Sequence, residues 1–240
     1  MLSNSSLGFH ALNTEITSCT RCPRLVEYRE HTAITKRKSF ITETYWGKPI
    51  HGFGDPAGRL LVSGLAPAAH GANRTGRVFT GDQSARFLMR CLQAAGFANQ
   101  EVSEHVNDGL QLIDTYITCA VKCVPPENKP TSQEQAQCQS FLRREISEMR
   151  NLKVVLALGK FAFSSYYKLS AEYSSRRSEP RFIHGKRYSP ESGLPVVYGS
   201  YHPSPRNTNT GLLTESSFLE ILQRIQRDLG PRYTSDLRLD

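Results

Sequence analysis

The chain predicts an α/β protein: a three-layer α/β/α sandwich around a short, mainly parallel, four-stranded sheet. Three observations carry this. Short, nearly continuous apolar runs recur, as expected for strands buried on both faces. Helical spacing of apolar residues follows these runs, so strand and helix alternate four times. The turn-rich loops also fall after strands, where open α/β sheets hold their ligands.

The elements follow in order. Residues 1–58 read as irregular, with a short helix over Pro23–His31. The run Arg59–Gly64 is the first strand, and the helix Gln83–Ala95 follows, with Phe87, Leu88, Cys91, Leu92 and Ala95 on one face and Gly96 as its stop. A second strand over Asp114–Lys122 leads to the loop Val124–Pro130. Thr131 and Glu134 form a capping box for the helix that carries Cys138. Val154–Gly159 is the third strand, with a helix over Lys160–Ser170, and Ala171–Leu194 reads as a polar, basic insertion. Pro195–Tyr201 is the last strand, and Thr214 caps a final helix with Phe218, Ile221, Leu222 and Ile225 facing inward. The reading is one domain over 1–240, with segment 1–58 fastened to the core by its cysteines.

Six cysteines in 240 residues are too few for a disulfide framework, and their pattern suits metal binding. Cys19 and Cys22 share one turn, and Cys123 and Cys138 are split across a loop and a helix. Four sulfurs complete a tetrahedral shell, and the long second spacing suits a cubane iron–sulfur cluster, with zinc as the alternative. Cys19, Cys22, Cys119 and Cys123 form a rival zinc set. Cys91 falls in an apolar stripe and reads as packing.

The balance of 30 Lys+Arg against 22 Asp+Glu gives a formal net charge of +8 and favours a polyanionic partner, nucleic acid first. No apolar run approaches the roughly 18 residues of a membrane span, and no signal peptide is evident, so a cytoplasmic or nucleoid-associated protein is expected; the further expectations are no membrane contact and a monomer.

Chemistry concentrates in the loops after strands, Ala66–Asp82, Val124–Pro130 and His202–Gly211, which should converge on one crevice. Gly71–Gly76 mimics half of a P-loop, but Arg77 and Val78 stand where Lys and Ser/Thr belong, which argues against nucleotide hydrolysis. Asp82 precedes a helix and is both a candidate N-cap and a candidate base that positions water. Phe79, in a polar loop, is a candidate stacking ring for a nucleobase. His202, at a strand end and followed by two prolines, is placed to project into the crevice. Arg206, Asn207 and Arg74 are candidate phosphate contacts.

Taken together, Gly64–Gly71, Arg77–Asp82, Lys122–Pro130 and His202–Asn207 resemble motifs of the iron–sulfur uracil-DNA glycosylases, in the type B (family 5) branch. The resemblance implies that Cys19, Cys22, Cys123 and Cys138 bind a structural [4Fe–4S] cluster. It implies Asp82 as the residue serving the attacking water and His202 as the group stabilising the departing base. Phe79 and Asn128 would meet the base, with Gly64, Ala66 and Ala68 lining its pocket. Ala68 agrees with a branch that lacks a polar catalytic residue in this motif.

Cys119 stands where the neighbouring family 4 branch carries an asparagine, and a thiol cannot supply its paired donor and acceptor. The implied activity is monofunctional: excision of uracil from DNA, and of other deaminated bases such as hypoxanthine, to leave an abasic site. The rival readings are a non-catalytic single-strand DNA-binding or sensing module and a metal-dependent nuclease. The loops show no carboxylate cluster for the nuclease.

Overall fold

The computed structural model describes residues 4–170, 179–189 and 193–231. Segment 1–58, expected to be irregular apart from Pro23–His31, instead holds two full helices, α1 (Asn4–Thr17) and α2 (Pro23–Thr35). In α1, Phe9, Leu12 and Ile16 recur at helical spacing, and all three are buried. Cys22 is the N-cap of α2, and Pro23 opens the helix where a missing N–H costs nothing.

The core sheet consists of β2 (Leu60–Gly64), β3 (Thr115–Cys119), β4 (Val154–Leu158) and β6 (Val196–Ser200), all parallel. Two-residue antiparallel strands, β1 (Phe53–Gly54) and β5 (Arg187–Tyr188), extend it to six in the order β1-β3-β2-β4-β6-β5. Edges this short carry no periodicity to read, so the sequence predicts only the four core strands. Of the insertion 171–194, β5 lies in the described part, whereas 171–178 and 190–192 lie outside the described residues.

Every residue of β2, β3 and β4 is buried, so successive side chains serve opposite layers. Leu60, Val62 and Leu156 join the core under α4 (Gln83–Ala94) and α8 (Glu215–Leu229). Leu61, Val155 and Ala157 face the other layer, with Phe9 of α1 and Phe163 of α6 (Lys160–Ser170). The helix α5 (Ser132–Glu148) starts with the Thr131/Glu134 capping box and packs on α1 and α6. Gly96, at φ 70°, follows the end of α4.

β3 stops at Cys119, short of Lys122, because the chain then curls over its own end. Lys122 Nζ donates to the Cys119 carbonyl at 2.8 Å and to Thr118 Oγ1 at 2.6 Å, and pairs with Glu145 of α5 at 2.6 Å. Among the described residues, no helix is long and apolar enough to cross a membrane.

Candidate active site

Parallel strands in register bring their C-terminal ends to one edge: Gly64 pairs with Cys119, and Leu158 with Ser200. The first loop leaves β2 at Gly64, where a Cβ would stand 2.9 Å from the Phe79 ring and 3.4 Å from Cys119 Sγ. Only glycine permits that approach. Phe79 is therefore more deeply buried than a free stacking platform, and it adopts φ 47°, a costly value for an aromatic residue. Ser103 Oγ holds this turn by donating to the Phe79 carbonyl at 2.9 Å.

The Phe79 ring stacks on His202, with centroids 5.9 Å apart and planes at 29°. The His202 carbonyl accepts from Asn207 Nδ2 and from the Ser204 N–H, both at 2.8 Å. These bonds fix the loop entering α7 (Pro205–Asn209). Burial pushes the His202 imidazole from 6.5 down to about 4, so near neutrality it is uncharged and keeps one N–H to donate.

Asp82 enters from the other side of the first loop. A Cβ on Gly71 would stand 2.1 Å from Asp82 Oδ2, so glycine is required there too. Asp82 is the N-cap of α4, its Oδ1 accepting from the Ala85 N–H at 2.8 Å. Burial raises its pKa above the usual carboxylate value, opposed by the N–H groups of Ala85 and Ser84 and by the charge of Arg74. Its charge is also felt at Cys119. Gly64, Phe79, Cys119 and His202 thus form one neighbourhood at the strand ends, and Asp82 closes the loop that carries Phe79.

The remaining candidates divide. Ala66 packs against the cluster of Cys22, Cys123 and Cys138. The Ala68 carbonyl accepts from the Asn73 N–H at 3.0 Å. Arg206 is exposed on α7, whereas Asn207 spends its amide on the His202 carbonyl. Asn128 stands at the exposed tip of the turn Pro126–Asn128, at φ 57°, outside the Phe79–His202 group.

Arg74 corrects its expected role. It is 8% exposed and already engaged: its guanidinium pairs with Glu43, donates to the His70 and Gly81 carbonyls and covers the Phe40 ring. It braces the first loop and has no free surface for a phosphate. The half P-loop is likewise a single helical turn, α3 (Ala72–Thr75), after which Arg77 is buried against Asp108 at 2.6 Å.

Sequence reasoning misses several supports. Tyr45 Oη meets His70 Nδ1 at 3.0 Å, and His184 Nδ1 accepts from the Tyr201 N–H at 3.1 Å. These partners are far apart in the chain and carry no local pattern.

Cys19, Cys22, Cys123 and Cys138 line one small cavity together with Arg29 and Phe141. Cys119 belongs instead to the apolar core beside Gly64 and Phe79, which removes the basis for the rival set. Among the described residues, no group of three or more His, Cys, Asp or Glu is arranged to hold a metal ion. Burial pushes the thiols of Cys22 and Cys123 up to about 11 and about 12. Arg29 donates to Cys123 Sγ at 3.2 Å and to the Cys19 carbonyl at 3.1 Å. The donor set is soft, buried and backed by a cation, which is the chemistry of a thiolate-bound metal group.

Fold and site give an α/β protein with a histidine at its strand ends and an aspartate capping the helix after the first loop, and comparison with known proteins agrees. Residues 51–226 match the model of the uracil DNA glycosylase superfamily. A type-5 uracil-DNA glycosylase of Mycobacterium leprae is 41% identical over 233 residues, covering 96% of this chain and 100% of the relative. Those of Thermus thermophilus and Pyrobaculum aerophilum are 43% and 42% identical, each over 90% of this chain and 95% and 91% of the relative. The chain belongs to the uracil-DNA glycosylase superfamily, among its type-5 members.

Proposed function

We propose that this protein is a DNA repair enzyme that everts a uracil nucleotide and hydrolyses its N-glycosidic bond, leaving an abasic site. The observation that carries the reading is the Phe79–His202 stack at the strand ends, on the loop that closes with the Asp82 cap of α4, in a chain from this superfamily. Eversion costs about a few kcal/mol, which contacts to phosphate offset; exposed Arg206 serves there.

The base enters beside Phe79, over the floor made by Gly64, Ala66 and Ala68, and Asn128, on its exposed turn, is the contact expected at the outer edge of the base. As the bond to the sugar lengthens, negative charge gathers on the base and positive charge on the sugar. Neutral His202 donates its N–H to the departing base. Ionised Asp82 stabilises the sugar cation and orients the water that adds at the anomeric carbon. No lysine stands among these residues to form a Schiff base, so the reaction ends at the abasic site.

Cys119, a buried thiol at the pocket, offers no donor–acceptor pair to read the uracil edge. Selection is correspondingly loose, and hypoxanthine is a second substrate. Cys19, Cys22, Cys123 and Cys138 hold a [4Fe–4S] cluster, which when bound ties α1 and α2 to the body of the fold.

The test is incubation with a duplex containing one uracil, followed by hot alkali. Cleavage at that position only after alkali is expected, and a duplex containing hypoxanthine should behave likewise. An uncleaved duplex that nevertheless binds the protein would overturn the reading in favour of a binding module.

A further inference from the structure

The arginine that braces the first loop also fastens a basic, aromatic segment beside it. Residues 34–48 carry Lys36, Arg37, Lys38 and Lys48 against one acid, Glu43, and Glu43 is paired with Arg74. Arg37, Lys38 and Lys48 are exposed, and so are three large apolar residues: Ile34 at 78%, Ile41 at 58% and Trp46 at 39%. Exposed apolar residues recurring among cations in one short segment suit an interface better than a solvated charge run.

Hydrogen bonds tie the segment to the first loop. Trp46 N–H donates to the Arg74 carbonyl at 2.9 Å, and Gly47 N–H to the Asn73 carbonyl at 3.1 Å. Arg74 in turn donates to the Gly81 carbonyl, one residue before Asp82, at 3.0 Å. The Trp46 ring rests on Gly76, where a Cβ would come within 3.2 Å of it, and Nε1 donates to the Pro49 carbonyl at 3.2 Å. The Arg37 backbone N–H donates to Tyr45 Oη at 3.3 Å, and Tyr45 Oη meets His70 Nδ1 at 3.0 Å, which sets Arg37 beside the same loop.

We propose that residues 36–48 are a DNA-binding arm: the cations grip phosphates of the duplex flanking the everted nucleotide, and Trp46 lies against its sugars or bases. The identity of the polyanion rests on the glycosylase reading. The arm precedes residue 51, where the match to the superfamily model begins.

Trp46 is the chain's only tryptophan, so its emission, excited where tyrosine is silent, reports on the arm directly. Titration with an undamaged duplex should change that emission. Combining Arg37→Ala, Lys38→Ala and Lys48→Ala should weaken binding and flatten the slope of log K against log salt by about 0.9 for each phosphate that is no longer neutralised. Trp46→Ala should weaken binding by about fivefold or more, the lower end of what aromatic–base stacking supplies. Unchanged emission on a duplex that demonstrably binds, an unaltered salt slope in the triple variant, or no binding at low salt would each overturn the proposal. Binding to undamaged DNA is read without catalysis, so the two readings fail separately. Protein that excises no base but shows the emission change loses the enzyme and keeps the arm; protein that excises uracil with a silent Trp46 does the reverse.

Discussion

Asp82 does two things, and one substitution separates them. Its Oδ1 caps α4, and its other oxygen faces Gly71. Asparagine caps a helix about as well as aspartate, so Asp82→Asn should leave the melting temperature nearly unchanged. The same change removes the anion, and single-turnover excision should fall by roughly 10² to 10⁴, the scale of a positioned acid–base group. A wild-type excision rate in that variant would remove Asp82 from the chemistry. His202 makes a pH prediction. Its folded pKa, about 4, lies below the 6.5 of a free imidazole, so between these values the unfolded chain binds more protons. The stabilisation from neutral His202 is complete above 6.5 and is lost as pH falls toward 4. Thermal melts across this window should therefore drop more steeply in the wild type than in His202→Gln.

The middle of the fold turns on a buried ion pair that joins a strand to a helix. Lys122 and Glu145 are both essentially inaccessible, and Thr118 donates to the Glu145 carboxylate from within β3. Glu145→Ala strands a cation in the core, and breaking a pair in this way costs about 3–5 kcal/mol, which denaturant unfolding should read. A loss under 1 kcal/mol would mean that water reaches Lys122. At this scale much is legible in the sequence, because its signals are local. The capping box at Thr131, the cap at Asp82 and the apolar runs of β2 and β4 each span a few neighbouring residues. The second strand reads three residues too long at its end because Val121 and Lys122 look like strand, and only the distant Glu145 explains why Lys122 curls inward. Arg74 misleads for a similar reason: Glu43 and Phe40, its partners, lie more than thirty residues away. In α1, Phe9, Leu12 and Ile16 carry a helical signal that polar neighbours dilute.

Across the whole molecule, the four cysteines join regions more than a hundred residues apart. Cys19 and Cys22 sit at the turn between α1 and α2, Cys138 lies within α5, and Cys123 follows β3. The spacing leaves two ligand sets open, and packing separates them, since Cys119 faces Phe79 across Gly64 while Cys138 faces Cys22. The contrast makes a metal prediction with two arms. Cys138→Ser should abolish the iron content and visible absorption of the purified protein, whereas Cys119→Ser should retain both. Retention of metal by Cys138→Ser and its loss from Cys119→Ser would restore the rival set, and colourless wild type with stoichiometric zinc would replace the cluster. Stripping the metal should then act locally. The strands β2 and β4 are buried on both faces by apolar packing that needs no metal. The helix α2 meets the body of the fold through Cys22 and buried Leu25, through Arg29 on Cys123, through the Asn73 amide on the Arg29 carbonyl and through the ion pair of Arg24 with Glu134. Without the cluster, the Cys22 and Arg29 attachments centre on a cavity lined by four free thiols. Hydrogen exchange in α2 should accelerate well before exchange in β2 and β4, and equal acceleration in all three would show that the cluster supports the whole fold rather than its N-terminal helices.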